Sequence, residues 1–393
     1  MSVAGLGASR SSLVGKTEFQ ILAKPNGSVC NLNCTYCFFL TKERLYPGGL
    51  FLMGDDILKT YLRQSMQGPR ALDLTLIWGG GEPAMTGLDF FKRAIDYEKE
   101  YAQPGARIVN EFQTNGTLLD NAWCEFFHSN QVEVALSIDG PRPLHNAYRH
   151  DKQGQPTFEE TMAGFQLLQQ HNIEYNILCS VHAANVDYPL EIYRFFRDEL
   201  EGRSIRFTPI VERDNNTGFQ EGDGVTDRSV DPKRYGEFLI AIFDEWMKHD
   251  TARVRISVFD DALANWVGMP AADCSFSASC GSSPALEHNG DLYCCEHFVE
   301  PNYFLGNMRE TSIAHLLASE RQIAFGQNKL ALPRHCRECE VLFACHGECP
   351  KNRFTKSPDG EPGLNYLCSG YKAFFKHVTW PVEVMAQLLG RRS

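Results

Sequence analysis

The chain lacks several features that would point to a membrane, a secretory route or a nucleic-acid partner. No run of about eighteen apolar residues is present, so no membrane span is expected. The N-terminal stretch has no basic start followed by an apolar core, and we expect no secretion signal. A net charge of −11 opposes binding to nucleic-acid phosphates. Repeats and low-complexity tracts are also missing.

The composition is that of an ordinary globular protein with ample core. The 393 residues are 43% hydrophobic and 22% charged, which suits one large domain and a smaller one. Fourteen cysteines are present. A disulfide framework suits short secreted chains, so reduced thiols and a cytoplasmic location are expected instead.

The first cysteine group is the run Cys30, Cys34 and Cys37. Three thiolates at this spacing can hold three irons of a 4Fe–4S cluster and leave the fourth iron open to a small molecule. A structural zinc site would more often be closed by a fourth Cys or His nearby, and this stretch has none. The spacing therefore favours an open iron–sulfur cluster.

Two later segments of the chain contain nine more cysteines. Two clusters with four ligands each need eight of them, and the adjacent Cys294 and Cys295 leave open which of the pair is spare. The nine are Cys274, Cys280, Cys294, Cys295, Cys336, Cys339, Cys345, Cys349 and Cys368.

The first 210 residues alternate strand and helix patterns, which predicts βαβ units and a parallel sheet. The predicted strands are Glu18–Ala23, Leu72–Trp78, Ile108–Gln113, Val132–Ile138, Tyr175–Val181 and Ile205–Ile210. The predicted helices are Asp55–Met66, Leu88–Tyr101, Asp120–Ser129, Thr157–His171, Tyr188–Leu200, Pro232–His249, Asp260–Val267 and Gly370–Leu389. Ligands of such sheets gather at the carboxyl ends of the strands.

The spacing of the first three cysteines, ahead of Phe38 and Phe39, resembles the signature of radical S-adenosylmethionine (SAM) enzymes. The loop Trp78–Pro83 resembles the Gly-Gly-Glu-Pro motif of that superfamily. The resemblance implies a partial (β/α)6 barrel of class α/β. It also implies SAM as cofactor, held by Gly80, Gly81, Glu82, Gln113, Ser137, Arg149 and Val211.

The later cysteines resemble the SPASM domain, which carries two auxiliary 4Fe–4S clusters in peptide-modifying radical SAM enzymes. The resemblance assigns Cys274, Cys280, Cys295 and Cys349 to the first cluster. It assigns Cys336, Cys339, Cys345 and Cys368 to the second. With the cluster at Cys30, Cys34 and Cys37, three clusters are expected. The implied domains are a barrel at 1–230, linking helices at 231–272, a SPASM domain at 273–370 and a helix at 371–393.

The chain as a whole is similar to the anaerobic sulfatase-maturating enzymes. The similarity rests on four stretches, at 112–116, 175–178, 305–307 and 365–368. It implies oxidation of a sulfatase Cys or Ser to formylglycine. In this mechanism a 5′-deoxyadenosyl radical removes a Cβ hydrogen, a base takes a proton, and an electron leaves through the auxiliary clusters. Reduced ferredoxin or flavodoxin is the implied electron donor.

Three positions depart from the pattern of that family. The catalytic base is usually an aspartate, whereas Glu296 stands here. Gly79 replaces a glutamine, and Phe39 stands where a tyrosine is common. We expect the last two to give the substrate a roomier and less polar wall, and thus a bulkier target.

Two alternative functions remain open at this level. A maturase of a ribosomally made peptide would use the same barrel and clusters to crosslink or otherwise modify side chains. A non-catalytic iron–sulfur electron carrier would not bind SAM, and the intact Gly80–Pro83 loop counts against it. The polar segment 212–230 is predicted to form a loop over the barrel mouth.

Overall fold

The structure is a computed structural model that describes residues 19–67 and 73–390. Ten strands of the described residues form one sheet, in the order β10-β9-β8-β1-β2-β3-β4-β5-β6-β7. These strands are β1 Leu22–Ala23, β2 Asp73–Trp78, β3 Arg107–Thr114, β4 Glu133–Ser137, β5 Tyr175–Val181, β6 Ser204–Pro209, β7 Arg255–Ile256, β8 Ala285–Leu286, β9 Asp291–Tyr293 and β10 Phe304–Asn307.

Strands β1 to β7 are parallel neighbours in chain order. The predicted partial barrel is therefore confirmed, and five of its six predicted strands lie within one residue of their expected bounds wherever those bounds are described. The predicted ends at Glu18 and Leu72 lie outside the described residues. The first strand is shorter than predicted, because only Leu22 and Ala23 pair with neighbouring strands.

The cysteine-rich segment is continuous with the barrel sheet. Strand β8 pairs in parallel with the free edge of β1, and β9 and β10 follow as antiparallel strands. Lys24 and Glu287 consequently leave adjacent strands side by side. A second sheet of the described residues pairs β11 Thr355–Lys356 with β12 Pro362–Leu364.

Thirteen α-helices lie along the described residues. They are α1 Asp55–Met66, α2 Leu88–Tyr101, α3 Asn121–Asn130, α4 Arg142–His145, α5 Phe158–Gln170, α6 Pro189–Arg194, α7 Pro232–His249, α8 Ser257–Trp266, α9 Ile313–Leu317, α10 Glu320–Gln327, α11 Arg334–Arg337, α12 Leu342–Cys345 and α13 Cys368–Gly390. Helix α8 begins three residues earlier than predicted, because β7 runs directly into it. The predicted helix ending at Leu200 is α6 followed by one π-helical segment, Phe195–Glu199.

The side chains of β3 alternate between two environments. Asn110, Phe112 and Thr114 are buried toward the helices, whereas Glu111 and Gln113 are half-buried on the concave face. This alternation gives β3 a polar inner face.

The C-terminal helix packs on the barrel domain, as predicted. Helix α13 crosses α7 where two glycines meet, since a Cβ on Gly370 would lie 2.0 Å from the Pro232 carbonyl oxygen and one on Gly236 would lie 2.6 Å from the Gly370 Cα. In the described residues, no helix has both the length and the apolar character needed to cross a membrane.

Candidate active site

The three N-terminal cysteines lie on one half-buried loop after β1. Burial raises the pKa of the Cys30 and Cys34 thiols to about 12, and the Cys37 thiol adds to the rise at both. Such thiols ionise readily only when a metal ion supplies compensating positive charge. The three side chains fit the ligand set of an iron–sulfur cluster.

A short backbone ladder holds this loop against the segment after α4. Asn33 N donates to His150 O at 2.8 Å, and Thr35 N donates to Tyr148 O at 3.0 Å. The loop is therefore fixed by main-chain bonds on both sides of Cys34.

Asp139, at the end of β4, ties the same loop to the barrel. Its carboxylate accepts hydrogen bonds from Arg149 Nε at 2.7 Å and Nη2 at 3.0 Å, from Tyr36 Oη at 2.6 Å and from Ser180 N at 2.9 Å. The Arg149 guanidinium also acts to lower the pKa of the Cys34 thiol, against the larger effect of burial. Arg149 thus lies beside the cysteine loop, with its Nε and Nη2 engaged by Asp139.

The glycine loop after β2 packs directly on the cysteine loop. Gly81 N donates to Gly27 O at 3.0 Å, and Glu82 N donates to Val29 O at 2.9 Å. A Cβ at Gly81 would lie 1.9 Å from the Val29 oxygen, and Gly80 has φ +105°. Only glycine allows this approach, which leaves backbone groups of the loop beside the cysteines.

The Glu82 carboxylate is held by β3. It accepts hydrogen bonds from Thr114 Oγ1 at 2.9 Å, Asn115 N at 2.8 Å and Ala84 N at 3.1 Å, and burial raises its pKa to about 7. A carboxylate offers about four acceptor positions. One further bond, such as that expected from the SAM amino group, fits the remaining capacity.

Asn115 is a residue that the sequence analysis missed. Its Nδ2 lies 3.7 Å from the Cys30 sulfur and 3.0 Å from Asn31 Oδ1, and Leu32 N lies 3.3 Å from the same sulfur. Two N–H groups therefore face one cluster thiol. The Gln-Thr-Asn-Gly run gave the available signal, but only its glutamine was assigned.

The remaining predicted SAM residues lie along the strand ends. Gln113 and Ser137 are half-buried on the concave face, and Val211 is buried just after β6. Gln113 donates from Nε2 to Glu111 Oε1 at 2.9 Å on its own strand. Their contacts with SAM stay a prediction.

The first auxiliary group brings together cysteines that are far apart in sequence. Beyond the effect of burial, the thiols of Cys274, Cys280 and Cys349 each raise the pKa of Cys295. The thiols of Cys274 and Cys280 likewise raise the pKa of Cys349. The four thiols therefore act on one another across the fold, and their assignment to one cluster stays a prediction.

The second auxiliary group shows the same mutual effects. Burial raises the pKa of Cys368 to about 11, with further contributions from Cys336 and Cys339. Burial raises the pKa of Cys345 to about 12, with contributions from Cys368 and Cys336.

Within 19–67 and 73–390, no three His, Cys, Asp or Glu side chains are placed to hold a single metal ion. A cubane cluster binds each thiolate through a separate iron, a different arrangement from one tetrahedral ion.

Cys294 and Cys295 point into different surroundings. Cys294 N donates to Tyr303 O at 3.0 Å, its carbonyl accepts from Gln322 Nε2 at 3.1 Å, and only Cys280 among the cysteines raises its pKa. Cys295 faces three cysteines of the first group. The geometry favours Cys295 as the ligand.

Glu296 lies immediately beyond Cys295, in a 3-10 turn at Glu296–Phe298. Burial raises the pKa of its carboxyl, whereas the nearby cations Arg206, Lys24 and Lys351 act to lower it. The carboxylate thus has three cationic neighbours, contributed by three separate segments.

A cavity of about 50 Å³ lies beside this turn, between β6 and the auxiliary-cluster segment. Its lining includes Arg206, Asp273, His297 and Lys351. Burial lowers the pKa of His297 to about 3, so its imidazole is neutral at physiological pH. The sequence analysis missed His297, although its position directly after Glu296 was a usable signal.

The expectation of a roomier wall at Gly79 is wrong. A Cβ there would lie 2.8 Å from Leu22 Cδ1 and 2.9 Å from Gln113 Oε1, so neighbouring side chains already occupy that space. Phe39 packs on Phe38 at a ring distance of 4.2 Å. The wall beside Gly79 also carries the polar Gln113 amide.

Lys24 is a third residue that the sequence analysis missed. It is fully buried, its Nζ lies 2.6 Å from Glu287 Oε1, and its ammonium lies 5.0 Å from the Phe39 ring centre. A lone lysine directly after a buried strand was the available signal.

The segment predicted to cover the barrel mouth bridges the two cluster regions. Lys42 Nζ donates to Gly218 O at 3.1 Å, and Gln220 N donates to Glu300 Oε1 at 2.8 Å. Lys42 itself lies 3.6 Å from Glu300. The loop therefore connects the segment after Cys37 to the segment after Cys295.

The sequence matches two protein families over separate ranges. Residues 27–196 match the Radical SAM superfamily, and residues 280–340 match the SPASM iron–sulfur cluster-binding domain.

Individual relatives cover nearly the whole chain. A serine-type anaerobic sulfatase-maturating enzyme of Bacteroides thetaiotaomicron is 43% identical over 380 residues, which cover 94% of this chain and 91% of the relative. A cysteine-type enzyme of Clostridium perfringens is 29% identical over 91% of this chain and 95% of its own length. The solved structure of native anSMEcpe with bound AdoMet superimposes with a TM-score of 0.85 at 28% identity, covering 94% of this chain and 99% of that one.

Proposed function

The chain belongs to the anaerobic sulfatase-maturating enzymes of the radical SAM superfamily, and on that premise we propose that it oxidises a Cys or Ser of a sulfatase to formylglycine. The enzyme uses SAM and three 4Fe–4S clusters. We assign the clusters to the three cysteine groups described above.

One observation carries the proposal beyond family membership. Lys24 lies over Phe39, two residues from Cys37, and the adjacent Phe38 ring lies 5.6 Å from the ring of His297, directly after Glu296. The open-cluster loop and the predicted base therefore face a common space. A side chain placed there can lose a hydrogen atom on one side and a proton on the other.

When bound, SAM and the first cluster would supply the carbon radical that removes a Cβ hydrogen, and the auxiliary clusters would take up the released electron. Glu296 takes the proton from the substrate sulfur or oxygen. Loss of one hydrogen atom, one proton and one electron leaves a carbon–oxygen or carbon–sulfur double bond, and hydrolysis of the latter gives the aldehyde. Arg206 and Lys351 stabilise the carboxylate before it accepts the proton.

Glutamate in place of aspartate still supplies a carboxylate. The longer side chain carries it one methylene farther from Cys295, and the space beside Gly79 is filled by Leu22 and Gln113. We therefore propose an ordinary Cys or Ser target rather than a bulkier one. The electron donor is a reduced ferredoxin or flavodoxin, and the fourteen unpaired cysteines suit a reducing cytoplasm.

The test is anaerobic reaction of the reconstituted protein with SAM, a reductant and paired sulfatase peptides that carry Cys or Ser at the target. An aldehyde captured by a hydrazide probe and located by mass spectrometry is the expected product. A crosslink also removes two hydrogens but leaves no aldehyde, so that product would support the peptide-maturase alternative. Absence of turnover on both peptides would contradict the proposal.

A further inference from the structure

Lys24 is a cation placed where the barrel and the auxiliary-cluster segment meet. Residues Ala23 and Leu286 are paired on β1 and β8, and Lys24 N donates to Leu286 O at 2.9 Å. Both Lys24 and Glu287 are almost completely buried, and their ion pair is 2.6 Å long. Glu287 therefore fixes the direction of the ammonium.

The ammonium has more donor capacity than this pair uses. Lysine carries three N–H donors, and the Glu287 contact accounts for one. The Phe39 ring lies 5.0 Å away and attracts the cation without accepting a conventional hydrogen bond. Because buried donors are normally paired, the remaining capacity points to an acceptor that enters the site.

The position of the side chain indicates which acceptor this is. Its stem lies against the SAM loop, where a Cβ on Gly80 would be 2.8 Å from Lys24 Cγ. The Phe39 ring beneath its ammonium packs on Phe38 at 4.2 Å, and Phe38 lies 5.6 Å in ring distance from His297, the residue directly after Glu296. A substrate residue between the radical source and Glu296 must bring its backbone past this point.

Resting on the proposed function, we propose that the Lys24 ammonium, oriented by Glu287, donates a hydrogen bond to a backbone carbonyl of the substrate peptide beside the target residue. Every peptide presents this acceptor whatever its side chains, so the contact sets the depth and register of the peptide. Lys24 is thus a substrate-positioning residue distinct from the predicted base.

The decisive experiment combines a variant with single-atom changes in the peptide. Binding of a fluorescein-labelled sulfatase peptide is measured anaerobically with SAM present, for wild type and Lys24→Met. The peptide series replaces one backbone carbonyl at a time by a thiocarbonyl, a weaker acceptor.

We expect Lys24→Met to weaken binding of the all-oxygen peptide on the order of 10- to 100-fold, as for a lost hydrogen bond to a charged group. One thiocarbonyl position should weaken binding to wild type but have no added effect in Lys24→Met. SAM affinity and iron content should stay unchanged. Lys92→Met, an exposed lysine on α2, is the matched control and should bind like wild type.

Equal peptide binding by wild type and Lys24→Met would overturn the proposal, as would a loss confined to SAM or iron. If Lys24→Met fails to fold, binding of the thiocarbonyl peptide series is compared between wild type and Glu287→Gln instead. A flat series on wild type contradicts the contact, whereas a sensitive position whose effect shrinks in Glu287→Gln supports it. A peptide that binds but yields no aldehyde contradicts the proposed function alone, because the binding comparison still reports on Lys24.

Discussion

Asp139 accepts two hydrogen bonds from Arg149, at 2.7 and 3.0 Å, and both side chains are almost fully buried. The same carboxylate accepts a hydrogen bond from the Tyr36 hydroxyl at 2.6 Å, and Tyr36 lies within the cysteine loop. One anion therefore joins the end of β4, the segment after α4 and the loop that carries the first cluster ligands.

Breaking the Asp139–Arg149 ion pair is expected to lower the stability of the protein. Asp139→Asn should destabilise the protein by about 3–5 kcal/mol, because it leaves a buried guanidinium without its anion. The double variant Asp139→Asn/Arg149→Met should recover part of that loss. The apparent melting temperature is the measurement. Asp89→Asn, at an exposed ion pair, is the control and should change stability by under about 0.5 kcal/mol. Similar melting temperatures for Asp139→Asn and the control would contradict the role given to the pair.

Gly81→Ala should abolish SAM binding while leaving the auxiliary clusters in place. The added methyl would meet the Val29 oxygen at 1.9 Å and force the glycine loop away from the cysteine loop. Isothermal titration with SAM and iron analysis test this together. The control is Gly224→Ala, whose Cβ meets only Asp214 Cβ at 3.7 Å. Normal SAM affinity in Gly81→Ala would show that the two loops can separate freely.

The sequence predicted the barrel well because its signal is local. Alternating apolar residues define β5, Tyr175–Val181, and apolar residues at helical spacing define α7, Pro232–His249, at the bounds observed. The pairing of β8 with β1 is not local, and the sequence of Ala285–Leu286 does not indicate which strand it pairs with. Lys24 was missed for the same reason, since Glu287 lies 263 positions away. The error at Gly79 arose because an absent side chain was interpreted as space, whereas Gln113 and Leu22 fill it.

Cys294 and Cys295 offer a matched pair for the cluster assignment. The reconstituted wild type should bind about twelve irons, and Cys295→Ser should lose about four as the first auxiliary cluster fails to assemble. Cys294→Ser should keep the full iron content, because the Cys294 thiol is affected by Cys280 alone among the cysteines, whereas Cys295 is affected by three members of the group. Replacing Cys30, Cys34 and Cys37 together should remove about four irons and all SAM cleavage. Iron loss in Cys294→Ser with none in Cys295→Ser would reverse the assignment.

Glu98 should make stability depend on pH. Burial raises the pKa of its carboxyl from the usual 4.5 to about 7, and its Oε1 has no hydrogen-bond partner. A raised folded-state pKa gives stability that is complete below about pH 4.5 and is lost as the pH rises through 7. Glu98→Gln should therefore gain on the order of 2–3 kcal/mol over wild type at pH 8, with no gain at pH 4.5. Melting temperatures across this range test it, and the exposed Glu100→Gln on the same helix is the control. A constant difference at all pH values would contradict the assignment.

Glu296→Gln separates proton transfer from radical formation. The amide keeps nearly the size of the side chain but cannot take the substrate proton, so SAM cleavage should persist while aldehyde formation falls by roughly 100-fold or more. Glu296→Asp should restore activity, because it keeps the carboxylate at a position one methylene shorter. Both products are quantified in one reaction, 5′-deoxyadenosine by chromatography and aldehyde by hydrazide capture, with the exposed Glu191→Gln as control. If Glu296→Gln gave full aldehyde yield, another group would have to accept the proton. Within the cavity lining His297 would be the neutral base nearest in sequence, and His297→Gln in the Glu296→Gln background would then be the deciding variant.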